Sequence, residues 1–468
     1  MRYVSTRGEA PSLGFADVLL TGLAPDGGLY VPETMPSFSA DELRAFRDLS
    51  YAEVAERVIR PFVGGEIDDA RLAAIVRDTY AAFDHPAVTP LRQLDSGFWL
   101  LELFHGPTLA FKDVALQLLG RLFDHVLTER GRHVTVVGAT SGDTGAAAIE
   151  ACRDRDAVDI VILHPKGRVS DVQRRQMTTV DAANVQNVAI EGTFDDCQDL
   201  VKAMFNDATF RDEVSLSAVN SINWARIMAQ VVYYVYASAQ LGGPDRPLSF
   251  AVPTGNFGNV YAGYVARRMG VPIERFVVGS NTNDILTRFF QADDMSIRPV
   301  VPTLSPSMDI QISSNFERLV FDLFDRNGRA VAEAMTEFRR CGRLSLGQNR
   351  WRAAADLFVG ECFDDEETVA TIADWYRRTG ETLDPHSAVG VGAAARHRDG
   401  AALVALATAH PAKFPDAVAR ATGVRPALPA RLADLHTRPE RVAVLPNDLA
   451  TVQDFVRRHA RTGKGAPV

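Results

Sequence analysis

The chain of 468 residues has few lysines, few cysteines and no long apolar run. Its formal net charge of −9 leaves no basic excess to neutralise phosphates, which argues against a nucleic-acid-binding surface. The four cysteines lie far apart without C-x-x-C spacing, so we predict neither a disulfide framework nor a metal site. This cysteine usage indicates a reducing compartment. The most apolar stretch, 227–239, is too short to span a bilayer.

Other absences narrow the possible functions further. The N-terminus lacks an apolar segment followed by a small-residue cleavage site, so we expect no secretory signal and a cytoplasmic location. The ten histidines show no H-E-x-x-H spacing, which argues again against a metal centre. No G-x-S-x-G motif is present, which argues against an α/β-hydrolase.

Lysine is scarce: of the 50 basic residues, only residues 112, 166, 202, 413 and 464 are lysines, and the rest are arginines. A lysine amine can form a Schiff base with an aldehyde, whereas a guanidinium stays protonated. Lys112 follows a loop between a predicted strand and a predicted helix, and such loops often carry catalytic groups. A genome-wide preference for arginine would explain the same composition, so composition alone assigns Lys112 no role.

The pattern of apolar residues predicts an α/β fold with open parallel sheets. Two βαβ units are predicted, one over 133–163 and one over 248–279, and a late strand is predicted over 403–408. The segment before them has turn signals and helical stretches but no glycine-rich loop between a strand and a helix. We therefore predict an N-terminal cap domain and two α/β domains, with the ranges 1–95, 96–245 and 246–468.

Four loops at predicted strand ends carry groups that could bind a ligand. The first leads to Lys112, where a helix N-terminus and partial burial would both disfavour the charged amine. The second, 139–145, offers hydroxyls and backbone N–H groups that suit a carboxylate, although a capped structural turn explains it equally well. Its glycine spacing matches neither a dinucleotide fingerprint nor a P-loop.

The third loop, 254–259, has two glycines and no acid, which suits a phosphate. The fourth, 408–414, follows the late strand. Ligands of open parallel sheets bind at the carboxyl ends of strands, so the four loops together indicate one shared site.

The run 105–113, which reads HGPTLAFKD, resembles the pyridoxal-phosphate lysine motif of the threonine synthase family. One short motif would be weak, but the resemblance extends over nearly the whole chain. Further family motifs follow in order at 3–8, 26–32, 141–145, 220–226, 255–259, 313–318, 384–386 and 408–413. One departure is Ser387, where the family usually has threonine, and it keeps the hydroxyl.

The resemblance implies pyridoxal 5'-phosphate as cofactor and the fold type II of tryptophan synthase β, with a cofactor cleft between two α/β domains. It implies conversion of O-phospho-L-homoserine and water to L-threonine and phosphate. Lys112 would hold the cofactor covalently and then act as the base for the α-proton, and Thr408 would face the pyridine nitrogen. The cofactor phosphate would be held by Gly255, Asn256, Phe257, Gly258 and Asn259.

The substrate would be held by two further sets of residues. The resemblance assigns the substrate carboxylate to the loop of Thr140, Ser141, Gly142, Asp143 and Thr144. For the substrate phosphate we predict Arg226, because arginine binds phosphate with two parallel N–H groups, together with Asn220, Ser221 and Asn223. The same residues could equally form an internal hydrogen-bond network.

Two other functions are compatible with such a fold. A dehydratase or phospholyase would use the same cofactor and release a 2-oxo acid. A non-enzymatic binding protein would be expected to lose the lysine or the phosphate loop, and both are intact. We expect a small-molecule substrate, no nucleic-acid or membrane partner, no metal, and either a monomer or a homodimer.

Overall fold

A computed structural model describes residues 1–140, 142–218, 220–398 and 400–461. Contacts divide the chain into two compact units. Unit 1 consists of Met1–Phe111 and Ser221–Pro426, and unit 2 consists of Lys112–Asn220 and the chain from Ala427 onwards. The division at 95 and 245 remains a prediction about domains.

The strands and helices alternate along much of the described chain. The strands are β1 Tyr3–Ser5, β2 Tyr30–Pro32, β3 Leu91–Asp95, β4 Phe98–Glu102, β5 Val134–Ala139, β6 Val158–Pro165, β7 Val185–Glu191, β8 Leu216–Ser217, β9 Leu248–Pro253, β10 Ile273–Ser280, β11 Met295–Ser296, β12 Arg343–Leu344, β13 Phe358–Cys362, β14 Ala402–Ala407 and β15 Ala443–Pro446. The helices are α1 Phe15–Thr21, α2 Ala40–Arg44, α3 Tyr51–Val63, α4 Asp69–Tyr80, α5 Lys112–Glu129, α6 Asp143–Cys152, α7 Asp171–Thr178, α8 Phe194–Asn206, α9 Ala208–Glu213, α10 Trp224–Gln240, α11 Gly258–Arg268, α12 Ile285–Ala292, α13 Phe316–Leu323, α14 Gly328–Cys341, α15 Gln348–Ala355, α16 Asp365–Thr379, α17 Pro385–Arg396, α18 Pro415–Thr422 and α19 Leu449–His459.

Unit 1 is built on a six-stranded sheet with the order β13-β10-β9-β14-β4-β3. All strand pairs in this sheet are parallel except β3–β4. The βαβ unit predicted over 248–279 is confirmed by the parallel pairing of β9 with β10, in which Phe250 lies opposite Phe276. Strand β4, which the predicted 96–245 domain grouped with later strands, pairs with β14 in this sheet. Helix α17 packs on β9, β10 and β14, which puts its N-terminus near their carboxyl ends.

Unit 2 is built on a five-stranded parallel sheet with the order β15-β7-β6-β5-β8. The other predicted βαβ unit is confirmed by the parallel pairing of β5 with β6. Every residue of β6 is buried, as expected for a central strand covered on both faces. Helices α5 and α6 pack so closely that a Cβ at Gly120 would lie 2.3 Å from the carbonyl oxygen of Ala151.

Local sequence explains where several helices begin and end. Ser50 caps α3 in a reciprocal capping box with Glu53, and the left-handed Gly64 ends the helix. Helix α10 is buried over nearly its whole length, which explains the apolar stretch at 227–239. Among the described residues, no helix combines the length and the apolar character that crossing a membrane requires.

Candidate active site

Lys112 in unit 2 is the first residue of α5, as predicted, and is only 8 % exposed. Its Nζ lies 3.7 Å from a carboxylate oxygen of Asp143, which is the first residue of α6. The close packing of α5 on α6 therefore brings two helix N-termini together with an amine and a carboxylate. The carboxylate favours the ammonium form, whereas the helix ends and burial disfavour it.

The loop before α6 is a capped turn as well as a candidate binding loop. Thr140 Oγ1 accepts hydrogen bonds from the N–H groups of Gly142 at 3.0 Å and Gly145 at 2.9 Å. Asp143 accepts a hydrogen bond from Gln173 Nε2 at 2.8 Å. The side chains of Thr140 and Asp143 are thus engaged within unit 2, while the predicted contact Ser141 lies outside the described residues.

In unit 1 the loop 255–259 leads from β9 into the N-terminus of α11. Phe257 adopts a left-handed conformation with φ of 60° and is the N-cap of the helix. Among the described residues, none accepts a hydrogen bond from the N–H groups of Gly258 and Asn259. The first turn of a helix with free N–H groups is a binding site for an anion such as a phosphate.

The surroundings of this loop fit a bound phosphate. The side-chain Nδ2 of Asn259 is buried without a hydrogen-bond partner among the described residues, while the hydroxyls of Tyr233 and Tyr234 donate to its Oδ1. A Cβ at Gly255 would lie 3.1 Å from Ile310, and one at Gly258 would lie 3.2 Å from Asn315. Any larger residue at either position would therefore have to displace the side chains behind the loop by a few tenths of an ångström.

The segment 313–318 holds the loop from behind. Ser313 donates from Oγ to the carbonyl of Gly255 at 2.7 Å, and Asn315 donates from its backbone N–H to the carbonyl of Asn256 at 3.1 Å. The buried Arg318 donates to Asn315 Oδ1 and to the carbonyl of Tyr30 at 3.0 Å. Carbonyls of the loop are thereby turned toward 313–318, which leaves its N–H groups available.

Thr408 follows β14 and is 6 % exposed. Its N–H donates to Ser387 Oγ at 2.9 Å, and its carbonyl accepts from the N–H of Phe111 at 2.8 Å. Phe111 directly precedes Lys112 in the chain. Leu109, two residues earlier, is buried in a left-handed conformation with φ of 63°, a strained choice for leucine that is often found at functional sites.

In the segment 220–226, Asn223 has a structural role, whereas Arg226 has guanidinium nitrogens without hydrogen-bond partners among the described residues. Asn223 caps α10 through Oδ1 and donates to the carbonyl of Leu19 at 2.8 Å, so its side chain is committed to structure. Arg226, in the first turn of α10, is 4 % exposed, and burial lowers its pKa to about 10. Neither Nε nor Nη1 of Arg226 has a hydrogen-bond partner in the described chain.

Comparisons with known proteins agree with this geometry. Three family models match consecutive parts of the chain: threonine synthase N terminus over 2–80, pyridoxal-phosphate dependent enzyme over 82–349, and threonine synthase C-terminal over 387–456. The threonine synthase of Pseudomonas aeruginosa is 58 % identical over 99 % of this chain and its own full length. The chain belongs to the threonine synthase family.

Solved structures of threonine synthases have the same fold. The PLP-bound threonine synthase from Brucella melitensis superposes with a TM-score of 0.97 and 56 % identity, covering 98 % of this chain and 100 % of that one. The threonine synthase from yeast gives 0.94 and 39 % identity, with 98 % of each chain covered. The predicted fold class, the family and pyridoxal 5'-phosphate as the cofactor of this threonine synthase family member are therefore confirmed.

Two relationships in the site have no signal in the sequence. The pairing of Asp143 with Lys112 depends on the packing of α5 on α6, which spacing does not reveal. The role of Arg318 behind the loop 255–259 depends on carbonyls contributed by distant segments. The family motif at 313–318 marked the position, but only the folded chain shows what it contacts.

Proposed function

We propose that this chain converts O-phospho-L-homoserine and water to L-threonine and phosphate. The observation that carries the proposal is the buried guanidinium of Arg226, whose Nε and Nη1 have no hydrogen-bond partner among the described residues. A buried charge without a partner is costly, so a site that keeps one is prepared for an anionic ligand. The loop 255–259 supplies one phosphate site, and Arg226 supplies a second anion site for a phosphorylated substrate.

Each predicted residue has a role in this proposal. Lys112 would hold the cofactor covalently, the loop 255–259 would hold its phosphate, and the hydroxyl of Thr408 would contact its pyridine nitrogen. When bound there, pyridoxal phosphate would supply an electron sink for the substrate's α-carbon. The amine of Lys112 would remove the α-proton, a transfer that contributes roughly 10²–10⁴-fold in rate.

The substrate contacts are supported to different degrees. At the N-terminus of α6, backbone N–H groups of the loop 140–144 other than those of Thr140 and Gly142, which are already donated within unit 2, would bind the substrate carboxylate. Ser141, assigned to the same role, lies outside the described residues. Asp143 holds Lys112 rather than the substrate in this proposal, because its carboxylate faces the amine. Ser221 and Asn220 would assist Arg226, whereas Asn223 positions the helix that carries it.

Product analysis tests the proposal. Purified protein loaded with pyridoxal phosphate is given O-phospho-L-homoserine, and threonine, phosphate and 2-oxo acid are measured. We expect equal amounts of threonine and phosphate, and a Lys112→Arg variant that retains less than a tenth of the turnover. A Lys202→Arg variant, on an exposed surface, serves as the matched control. Release of a 2-oxo acid without threonine would instead show a phospholyase.

We further propose a cytoplasmic location and a monomeric or homodimeric state. All four cysteines are free, including the exposed Cys341, and free exposed thiols persist in reducing compartments. Sedimentation of the purified protein at several concentrations distinguishes a monomer from a dimer. A larger assembly would contradict the proposal.

A further inference from the structure

A buried carboxylate organises the turn at the start of α17 in unit 1. Asp384 is fully buried and is the N-cap of the helix, where it accepts hydrogen bonds from the N–H groups of His386 at 2.9 Å and Ser387 at 3.2 Å. The ring of His386 also bonds to Asp384, through Nδ1 at 2.9 Å. The N–H of Ser307 donates to Nε2 of His386, so Nδ1 carries the proton and donates to Asp384.

Ser387 links Asp384 to Thr408, the residue that follows β14. Its hydroxyl donates its single proton to Asp384 Oδ2, so the oxygen can only accept elsewhere. It accepts from the N–H of Thr408 at 2.9 Å. In each hydrogen bond between Asp384 and Thr408, donor and acceptor are therefore determined, because the carboxylate only accepts and the Ser387 hydroxyl has one proton to donate.

The backbone of Thr408 is held on both sides, while its side chain is not. The N–H is bound by Ser387 and the carbonyl by the N–H of Phe111. No residue in the described part of the chain hydrogen-bonds to the hydroxyl of Thr408. A side chain of this kind is free to contact a ligand, and the direction of its Cα–Cβ bond is set by the peptide groups that flank it.

We propose that Asp384 and Ser387 are positioning residues that aim the hydroxyl of Thr408 at the cofactor's pyridine ring. The inference rests on the proposed function, which places Thr408 against that ring. Ser387 is the last link, because its oxygen is the acceptor for the Thr408 N–H. Loss of the oxygen would leave a buried N–H unpaired and release the peptide group between Ala407 and Thr408.

Substitutions at position 387 test whether the Ser387 oxygen is needed as an acceptor. Alanine at 387 removes the acceptor, whereas threonine keeps it and differs by one methyl group. Ser249→Ala is the matched control, because Ser249 is also a buried serine of unit 1 but lies in β9 near its amino end. Thr408→Val removes the hydroxyl that the network is proposed to aim.

Four measurements are made on each variant: the affinity of apoprotein for pyridoxal phosphate, the absorbance of the bound cofactor against pH, turnover, and the melting temperature of the apoprotein. We expect Ser387→Ala to bind the cofactor about tenfold more weakly and to shift the pH dependence of the spectrum in the same direction as Thr408→Val. Ser387→Thr should restore both values to within about twofold of the parent, as a rescue by the retained hydroxyl.

The outcomes separate the inference from the function on which it rests. A parental spectrum and affinity in Ser387→Ala, beside altered values in Thr408→Val, would overturn the inference alone. An unchanged spectrum in Thr408→Val would overturn the role of Thr408 and the inference together, whether or not threonine is still produced. If Ser387→Ala does not fold, Ser387→Cys replaces it, and its weaker acceptor should give an intermediate shift, whereas a parental spectrum would overturn the inference.

Discussion

Lys413 donates a hydrogen bond from its fully buried ammonium to the carbonyl of Thr108 at 2.6 Å. Thr108 precedes the strained Leu109, whose carbonyl accepts from the N–H of His410 at 3.0 Å. The loop that leads to Lys112 is therefore fastened to the loop that follows β14. A buried lysine is used here as a fixed donor to the backbone.

Replacing Lys413 by methionine should loosen this loop. Methionine fills a similar volume but leaves the carbonyl of Thr108 without the ammonium donor, which costs roughly 1–3 kcal/mol. We expect a lower free energy of unfolding in urea and a reduced turnover. Lys202→Met, at an exposed site, is the control and should change neither. Parental stability in Lys413→Met would show that the contact contributes little.

Enlarging Gly258 should weaken cofactor binding. A Cβ at this position already lies 3.2 Å from Asn315, so the branched side chain in Gly258→Val must displace the loop or its support. We expect the affinity of the apoprotein for pyridoxal phosphate to fall about tenfold or more, measured by fluorescence titration. Ala208→Val, at the exposed start of α9, controls for valine in a first helical turn. An unchanged affinity would mean that the loop does not hold the phosphate.

Removing the charge of Arg226 should stabilise the protein while abolishing its response to phosphate. Burial of the guanidinium, whose Nε and Nη1 have no hydrogen-bond partner in the described part of the chain, lowers its pKa to about 10 and costs free energy in the absence of an anion. Methionine at 226 should raise the free energy of unfolding by roughly 1–3 kcal/mol. Inorganic phosphate should raise the melting temperature of the cofactor-loaded parent but not of Arg226→Met. Equal stabilisation of both proteins by phosphate would contradict an anion site at this arginine.

Acid stability of unit 2 should depend on Asp159. Burial raises the pKa of this carboxyl, but hydrogen bonds from His133 and Arg461 outweigh burial and hold the pKa below its ordinary value of 3.8. A lowered pKa contributes stability above pH 3.8 that is lost as the pH falls through the folded-state value. Asp159→Asn should therefore be less stable than the parent at pH 7, and the difference should shrink below pH 4 in urea titrations. A difference independent of pH would exclude this linkage.

The sequence predicted most of the architecture because its signals are local. Apolar runs with glycine-rich loops predicted both βαβ units, and the registers of β5 with β6 and of β9 with β10 confirm them. Lys112 was correctly placed at the start of a helix. The pairing of β4 with β14 was not predictable, because it joins segments about 300 residues apart by backbone groups that every residue carries.

The candidate site was harder to predict from the sequence than the fold, because residue type does not reveal which partners a side chain has. Asn223 and Arg226 belong to the same motif, yet one caps a helix and the other has no partner for Nε or Nη1 among the described residues. Thr140 could bind substrate by type, but its hydroxyl accepts two backbone N–H groups of its own loop. Such distinctions require the hydrogen-bond partners.

Burial of lysine has a practical consequence for chemical labelling. Lys112 and Lys413 are enclosed, whereas the side chains of Lys166 and Lys202 are 53 % and 67 % exposed. An amine-reactive reagent applied to the native protein should mark the latter two first among the described lysines. A lysine-specific protease should find the same two sites, so digestion under native conditions would spare the bond after residue 112.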